Sequence, residues 1–268
     1  MKKIARITTQ KKSKNRYNIF LDDGHGESYG FSVDEALLIE YRLRKGLELD
    51  NSMVDTLIQK DTVHKVYTQA IHFLSYRMRT KKEIRDYLVK KEVEPEQVEQ
   101  IMGRLEKENL VDDRQFAEMF VRTRMNTSSK GPSLIKKELM EKGVAAAIAA
   151  EAVEGYPYEV QYEKIRKLID KKLSQKKKDS FRKQVQNLQA SLMQKGFTQD
   201  VVKEAFADIQ EEKDEDAEWE ALVYQGEKLM RKHQMKHEGY ALMNKVKEGL
   251  FRKGFPMDQI QKFLESRE

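Results

Sequence analysis

Four stretches of the chain repeat one pattern of apolar and polar positions. Each carries an i, i+4 apolar pair on one helix face: Ile84 and Leu88, Ile135 and Leu139, Leu188 and Leu192, or Val246 and Leu250. Three residues after the second member stands Lys91, Lys142, Lys195 or Lys253, followed in the last three copies by Gly143, Gly196 or Gly254. A lysine in the last turn suits the negative end of a helix, and a glycine beside it takes the left-handed conformation that ends one. The phrases LVKKEV, LMEKGV, LMQKGF and LFRKGF therefore read as helix stops. Glu92 holds the glycine position in the first, which predicts a different turn or a strained backbone there.

A further helix is predicted after each stop, with a buried face of Val98, Ile101, Met102 and Leu105 in the first copy and of Val202, Ala205, Phe206 and Ile209 in the third. The same offsets give Ile260, Phe263 and Leu264 in the fourth. Upstream of each stop, Ala70, Phe73 and Leu74 have the spacing of Ala117, Phe120 and Val121, and more loosely of Ile165, Leu168 and Ile169. The unit is thus three helices in roughly fifty residues, repeated four times and stacked to build a core that one unit alone lacks.

The first fifty residues differ. Ile4 to Gln10, Arg16 to Leu21 and a run ending near Phe31 are short β-prone segments, with the turn signal DDGHG between the last two, and predict a small antiparallel sheet. Ser32 is the predicted N-cap of a helix running to about Lys45 and closed by Gly46. The expected fold is mainly α, tandem three-helix repeats preceded by this β element, with divisions at 1–50, 51–110, 111–156, 157–212 and 213–268.

Charged residues make up 36% of the 268 positions, and the net charge of +6 favours polyanionic partners. There is no cysteine, which excludes disulfides, thiolate metal sites and a cysteine nucleophile. The start MKKIARITTQKK has no signal-peptide apolar stretch, and VAAAIAA at 144–150 is too short to span a bilayer, so a cytoplasmic protein is expected. No Walker loop, HExxH or nucleophile elbow occurs, and His233 with His237 has no obvious third metal ligand, so neither an enzyme nor a cofactor is expected. Tyr67, Phe73, Tyr76 and Tyr87, at helical spacing, read as core before they read as a base-stacking row.

Four elements in order carry a resemblance. They are LSYRMRTKKEI at Leu74 to Ile84, LVDDRQFA at Leu110 to Ala117, VRTR at Val121 to Arg124, and KGPSLIKKELMEKG at Lys130 to Gly143. Here the chain resembles the RecX family of bacterial regulators of the RecA recombinase, strongly over about residues 70–155 and more weakly beyond. The resemblance implies a curved array of three-helix repeats and a regulatory, non-catalytic role. It also implies binding, as a monomer, in the groove of RecA filaments on single-stranded DNA, with inhibition of the recombinase, ATPase and co-protease activities. A RecA-independent helical-repeat nucleic-acid-binding protein is the alternative.

Either partner needs a basic surface. The candidates are Arg77, Arg79, Lys81, Lys82 and Arg85 in the first repeat, Arg122, Arg124, Lys130, Lys136 and Lys137 in the second, and Lys171, Lys172, Lys176, Lys177 and Lys178 in the third. An ordinary solvated charge is the competing reading for each, and Arg77 and Arg124, at equivalent positions, also read as structural. Residues 160–205 carry a balance of +7 and residues 206–220 one of −7. The acidic block reads as a helix junction or as a competitor of DNA for the basic face beside it. Asp112 and Asp113 read as an N-cap and a first-turn acid.

Overall fold

The structure, a computed structural model, describes residues 1–11, 13–175, 178–207, 209 and 214–267. The candidates Lys176 and Lys177, and Asp208, Glu211 and Glu212 of the acidic block, lie outside the described residues. The chain forms two compact units, Met1–Phe116 with Lys142–Val144, and Ala117–Glu141 with Ala145–Glu268. No helix among the described residues is long and apolar enough to cross a membrane.

The first unit opens with strands β1 (Lys2–Gln10), β2 (Ser13–Asp22), β3 (Glu27–Asp34) and β4 (Glu48–Leu49), in an antiparallel sheet of order β3-β2-β1-β4. Ile4, Ile19, Leu21, Phe31 and Val33 line its buried face, as alternation along a half-buried strand requires. In the DDGHG turn Asp22 Oδ1 accepts from Gly24 N at 2.9 Å and Gly26 N at 3.3 Å. The short strand β4 was not foreseen.

The predicted helix from Ser32 to Lys45 needs correction. Ser32 lies within β3, Asp34 is the N-cap, and α1 covers only Glu35–Glu40. Val33 is fully buried in the sheet core, which holds the strand pairing two residues longer than local propensity suggests. The helix stops early because Arg42 turns left-handed (φ +49) and Leu43 drops into the core. Gly46 (φ +89) then returns the chain to β1, donating its N–H to the Ile4 carbonyl at 2.8 Å.

Helix α2 (Asn51–Ser75) serves two cores. Val54 and Leu57 complete the core under the sheet, and Tyr67 and Ala70 belong to the core that α2 builds with α3 (Lys81–Lys90) and α4 (Pro95–Lys107). Midway, the buried Asp61 takes both arms of Arg16, at 2.6 and 3.2 Å, and the Asp34 N–H at 2.9 Å, fastening the sheet to the helix.

The remaining helices are α5 (Asp113–Thr127), α6 (Pro132–Glu141), α7 (Ala146–Glu154), α8 (Tyr158–Leu173), α9 (Phe181–Gln194), α10 (Gln199–Ala205), α11 (Glu215–His233), α12 (Gly239–Arg252) and α13 (Met257–Glu265). Helices α8 to α10 share one core and α11 to α13 another, around the apolar positions the periodicity singled out. Leu188, Leu168 and Leu264 among those positions are only partly buried.

The repeated phrase does end a helix in all four copies, and in the last three it also receives a neighbour. In the first unit the Thr80 hydroxyl, N-cap of α3, donates to the Lys142 carbonyl at 2.7 Å. In the second, Gly131 N, just before α6, donates to the Lys195 carbonyl at 2.7 Å and Ser133 N to the Gly196 carbonyl at 3.0 Å. The Ser180 hydroxyl, N-cap of α9, donates to the Lys253 carbonyl at 2.5 Å. Each contact puts the orphan carbonyl of a helix stop against the start of another helix.

This contact explains the three glycines and the single glutamate. Gly143, Gly196 and Gly254 have φ of +88, +85 and +86, and Glu92 turns the same way at +58, so the turn is shared and not replaced. The difference is space: a Cβ on Gly196 would lie 2.4 Å from Leu134 N, one on Gly143 2.5 Å from Lys82 Cβ, and one on Gly254 3.0 Å from Ser180 Oγ. No repeat precedes the first, and Glu92 is exposed. Gly196→Ala is expected to cost about 3 kcal/mol or more, from the left-handed backbone together with the clash. Glu92→Gly is expected to change stability by less than about 1 kcal/mol, since relief of strain and added chain entropy oppose each other. Thermal unfolding followed by circular dichroism measures both, and equal effects would contradict the crowding argument.

Candidate interaction surface

The basic candidates divide by what their side chains already hold. Arg77 grips Glu83 with both arms at 3.0 and 3.2 Å. Arg79 lies 3.4 Å over the Phe73 ring and donates to the Phe73 carbonyl at 2.9 Å, its pKa drawn down by burial and then by the nearby Arg77 charge. Lys81 pairs with Glu106 at 2.8 Å, and Arg85 binds Glu99 through both arms. Arg124 and Lys130 converge on Glu138, and Lys178 sits 4.1 Å over the Tyr224 ring. Lys137 is near Glu141 at 4.0 Å, a loose and largely exposed pair.

That leaves Lys82, Arg122, Lys136, Lys171 and Lys172 with no acidic partner among the described residues. Arg122, Lys171 and Lys172 are exposed on α5 and α8, and Lys82 is exposed although its aliphatic stem packs on Gly143. The tight basic cluster expected between Arg77 and Arg85 is therefore largely paired internally, Arg77 with Glu83, Lys81 with Glu106 and Arg85 with Glu99.

Glu83 accepts from Arg77, from Lys142 Nζ at 3.0 Å and, closing a capping box, from Thr80 N at 3.4 Å. Burial pushes its carboxyl upward, but the hydrogen bonds and charges of Arg77 and Lys142 outweigh this and hold the pKa at about 2. So the lysine of the repeated phrase offers its carbonyl to Thr80 and its ammonium to Glu83.

Acids complete these joints. Asp113 accepts from Lys81 N at 2.8 Å, with burial raising its pKa, and the buried Glu218 accepts from Phe181 N at 2.6 Å. Each satisfies the first N–H of a second helix, placing negative charge at its positive end. Asp112 is the expected cap of α5, accepting from Arg114 N at 2.8 Å and Gln115 N at 3.2 Å. Within the acidic block, Asp214 caps α11 through Ala217 N at 3.0 Å. Lys164 is also a joint residue, donating to the Met125 carbonyl and, at 3.0 Å, to the Ser128 carbonyl past the end of α5, with burial lowering its pKa.

Three of the four aromatic candidates are packed. Tyr67 is buried with its hydroxyl on Glu108, and Phe73 stacks on Tyr87 at 4.1 Å, whereas Tyr76 is 71% exposed beside His72 and is not core. No group of three or more His, Cys, Asp or Glu suited to a metal ion occurs among the described residues.

A β element followed by three-helix repeats defines the class: a helical tandem-repeat protein with an N-terminal sheet. Residues 2–50 match the family model for the regulatory protein RecX N-terminal domain, 67–105 the first RecX three-helix domain and 112–153 the second, while the third matches twice, at 159–206 and 216–264. The chain is 58% identical to the regulatory protein RecX of Oceanobacillus iheyensis over 267 residues, 99% of this chain and 98% of that one. It is 41% identical to that of Bacillus cytotoxicus over 264 residues, 98% and 97% of the two chains. A crystal structure of regulatory protein RecX superposes with TM-score 0.68 at 35% identity, over 79% of this chain and 100% of that one. That of RecX from Lactobacillus salivarius gives 0.54 at 34%, over 56% and 98%. The chain belongs to the RecX family of regulatory proteins.

The network around Glu83 titrates with a defined sign. Its folded pKa lies below the ordinary 4.5, so its stabilisation is complete above about 4.5 and is lost as the pH falls toward about 2. Glu83→Gln is expected to lower stability by about 1–2 kcal/mol at pH 7, with the deficit shrinking as the pH falls through that window. Melting curves of both proteins between pH 7 and pH 2.5 measure this, and a constant deficit would mean that the charge is not what stabilises.

Proposed function

We propose that this protein regulates RecA by binding RecA filaments on single-stranded DNA and inhibiting their recombinase, ATPase and co-protease activities. The observation that carries this reading is 58% and 41% identity, over nearly the full length, to proteins named regulatory protein RecX. In this reading it works in the cytoplasm as a monomer without a cofactor, and its working parts divide at 1–50, 51–110, 111–156, 157–212 and 213–268. Lys82, Arg122, Lys136, Lys171 and Lys172 supply the contact, because they have no acidic partner among the described residues. Arg77, Arg79, Lys81, Arg85, Arg124, Lys130 and Lys178 support the surface from within.

The same cations favour a second reading, RecA-independent binding to DNA phosphates. Salt separates the two, because pure phosphate binding weakens steeply as salt rises and a protein interface with an apolar part weakens less.

The decisive measurement is the single-stranded-DNA-dependent ATPase of the cognate RecA, titrated with this protein. Inhibition well below the amount that covers the DNA is expected, and an Arg122→Glu, Lys171→Glu, Lys172→Glu variant is expected to require about tenfold more protein, roughly 1.4 kcal/mol. If ATPase falls only when the DNA is covered, competition for the strand replaces the filament reading.

A further inference from the structure

The outer face of the N-terminal sheet is not absorbed by the repeat array or by the basic residues above. Its buried face is apolar, whereas its outer face carries an aromatic pair beside a polar row. Arg6, Phe20 and Tyr29 are cross-strand neighbours in register. The Arg6 guanidinium lies 4.3 Å over the Phe20 ring, and Tyr29 meets Phe20 edge-on at 6.0 Å. Tyr29 remains 59% exposed.

Beside it Tyr29 OH shares a hydrogen bond with Ser32 Oγ at 2.8 Å, Ser32 donates to Asn18 Oδ1 at 3.0 Å, and the Gln10 amide donates to both, at 3.1 and 2.9 Å. The row is therefore held in place before any ligand arrives. Charge points to the ligand: the first 21 residues hold seven Lys or Arg and no acid. Lys11 and Lys14, at the β1–β2 turn, are exposed. The acids at this face include Glu27, which holds Arg6 through Nε at 2.8 Å and so fixes the guanidinium over Phe20, and Asp22 opposite it, which accepts from the Gly24 and Gly26 N–H groups of the turn.

We propose that this outer face is a binding platform for single-stranded DNA, with bases stacking on Tyr29 and on the Arg6–Phe20 pair, and phosphates tracking Lys11 and Lys14. A cross-strand aromatic pair by itself also stabilises a sheet. That role explains why Phe20 meets Tyr29, but not why a rigid polar row and an acid-free cationic run accompany an exposed ring. Stacking requires bases with free faces, which single strands offer and duplexes do not. The platform does not rest on the RecA reading, since its DNA-binding measurements contain no RecA and only the control for a protein-docking face adds it.

The test is fluorescence anisotropy of labelled oligo-dT with the full chain, its Tyr29→Ala and Tyr29→Phe variants, and a Lys11→Glu, Lys14→Glu double variant. Wild type is expected to bind the single strand more tightly than a duplex of equal length. Tyr29→Ala is expected to weaken binding about fivefold or more, the loss of one stacked base, and Tyr29→Phe to restore it, since the ring and not the hydroxyl does the stacking. The lysine variant is expected to weaken binding and to flatten its salt dependence. Photocrosslinking of a 5-iodouracil strand is expected to label Phe20 or Tyr29, while unchanged melting of the variants shows that the sheet is intact. If both Tyr29 variants bind as wild type, or crosslinks fall only in the helical repeats, the platform is overturned. Loss of RecA inhibition in Tyr29→Ala with DNA binding intact would overturn it in favour of a protein-docking face.

Discussion

The structure depends on a hydrogen bond between helix ends. A helix finishes with carbonyls that have no partner in the helix, and another begins with N–H groups that have none. In the second unit the carbonyl of Lys195 meets the start of α6 and that of Lys253 the start of α9, and in the first unit the carbonyl of Lys142 meets the start of α3. Partial negative charge faces partial positive charge at each point. The donor varies, a threonine or serine hydroxyl in two joints and backbone N–H groups of Gly131 and Ser133 in the third. What does not vary is a glycine flat enough for the approach.

That constraint separates what the sequence disclosed from what it did not. Apolar periodicity found the helix faces because burial imposes a period, and Ile84, Leu88, Ile135, Leu139, Val246 and Leu250 are all fully buried. The stops were visible because lysine and glycine at a helix end have local causes. Their second role was invisible, since Thr80 and Lys142 are 62 residues apart and nothing local marks them as partners. Glu92 departs from the pattern because its side chain is exposed, where the three glycines face the start of another helix. The helix predicted from Ser32 failed for a related reason: the burial of Val33 in a sheet outweighed a capping pattern that was locally sound.

Charge was the least legible property. Counting cations along the chain placed a dense basic cluster at Arg77 to Arg85, yet most of its members are held by Glu83, Glu99, Glu106 or the Phe73 ring. Asp112, Asp214 and Glu218 likewise serve helix starts. Net charge describes attraction at long range, whereas a contact requires a side chain with a hydrogen bond left to give. In this protein the two descriptions select different residues.

The two ends of the repeat series are not alike. At the first, Glu92 puts a charged side chain where an incoming helix would have to press; at the last, α12 begins at Gly239 with no side-chain cap and nothing within 4 Å of where its Cβ would stand. Each joint is polar, with a helix stop on one side and a helix start on the other, so that repeats joined this way follow one another in a single orientation. A repeat that carries both parts has the same edges at every position in a series, and the last two repeats match one and the same family domain.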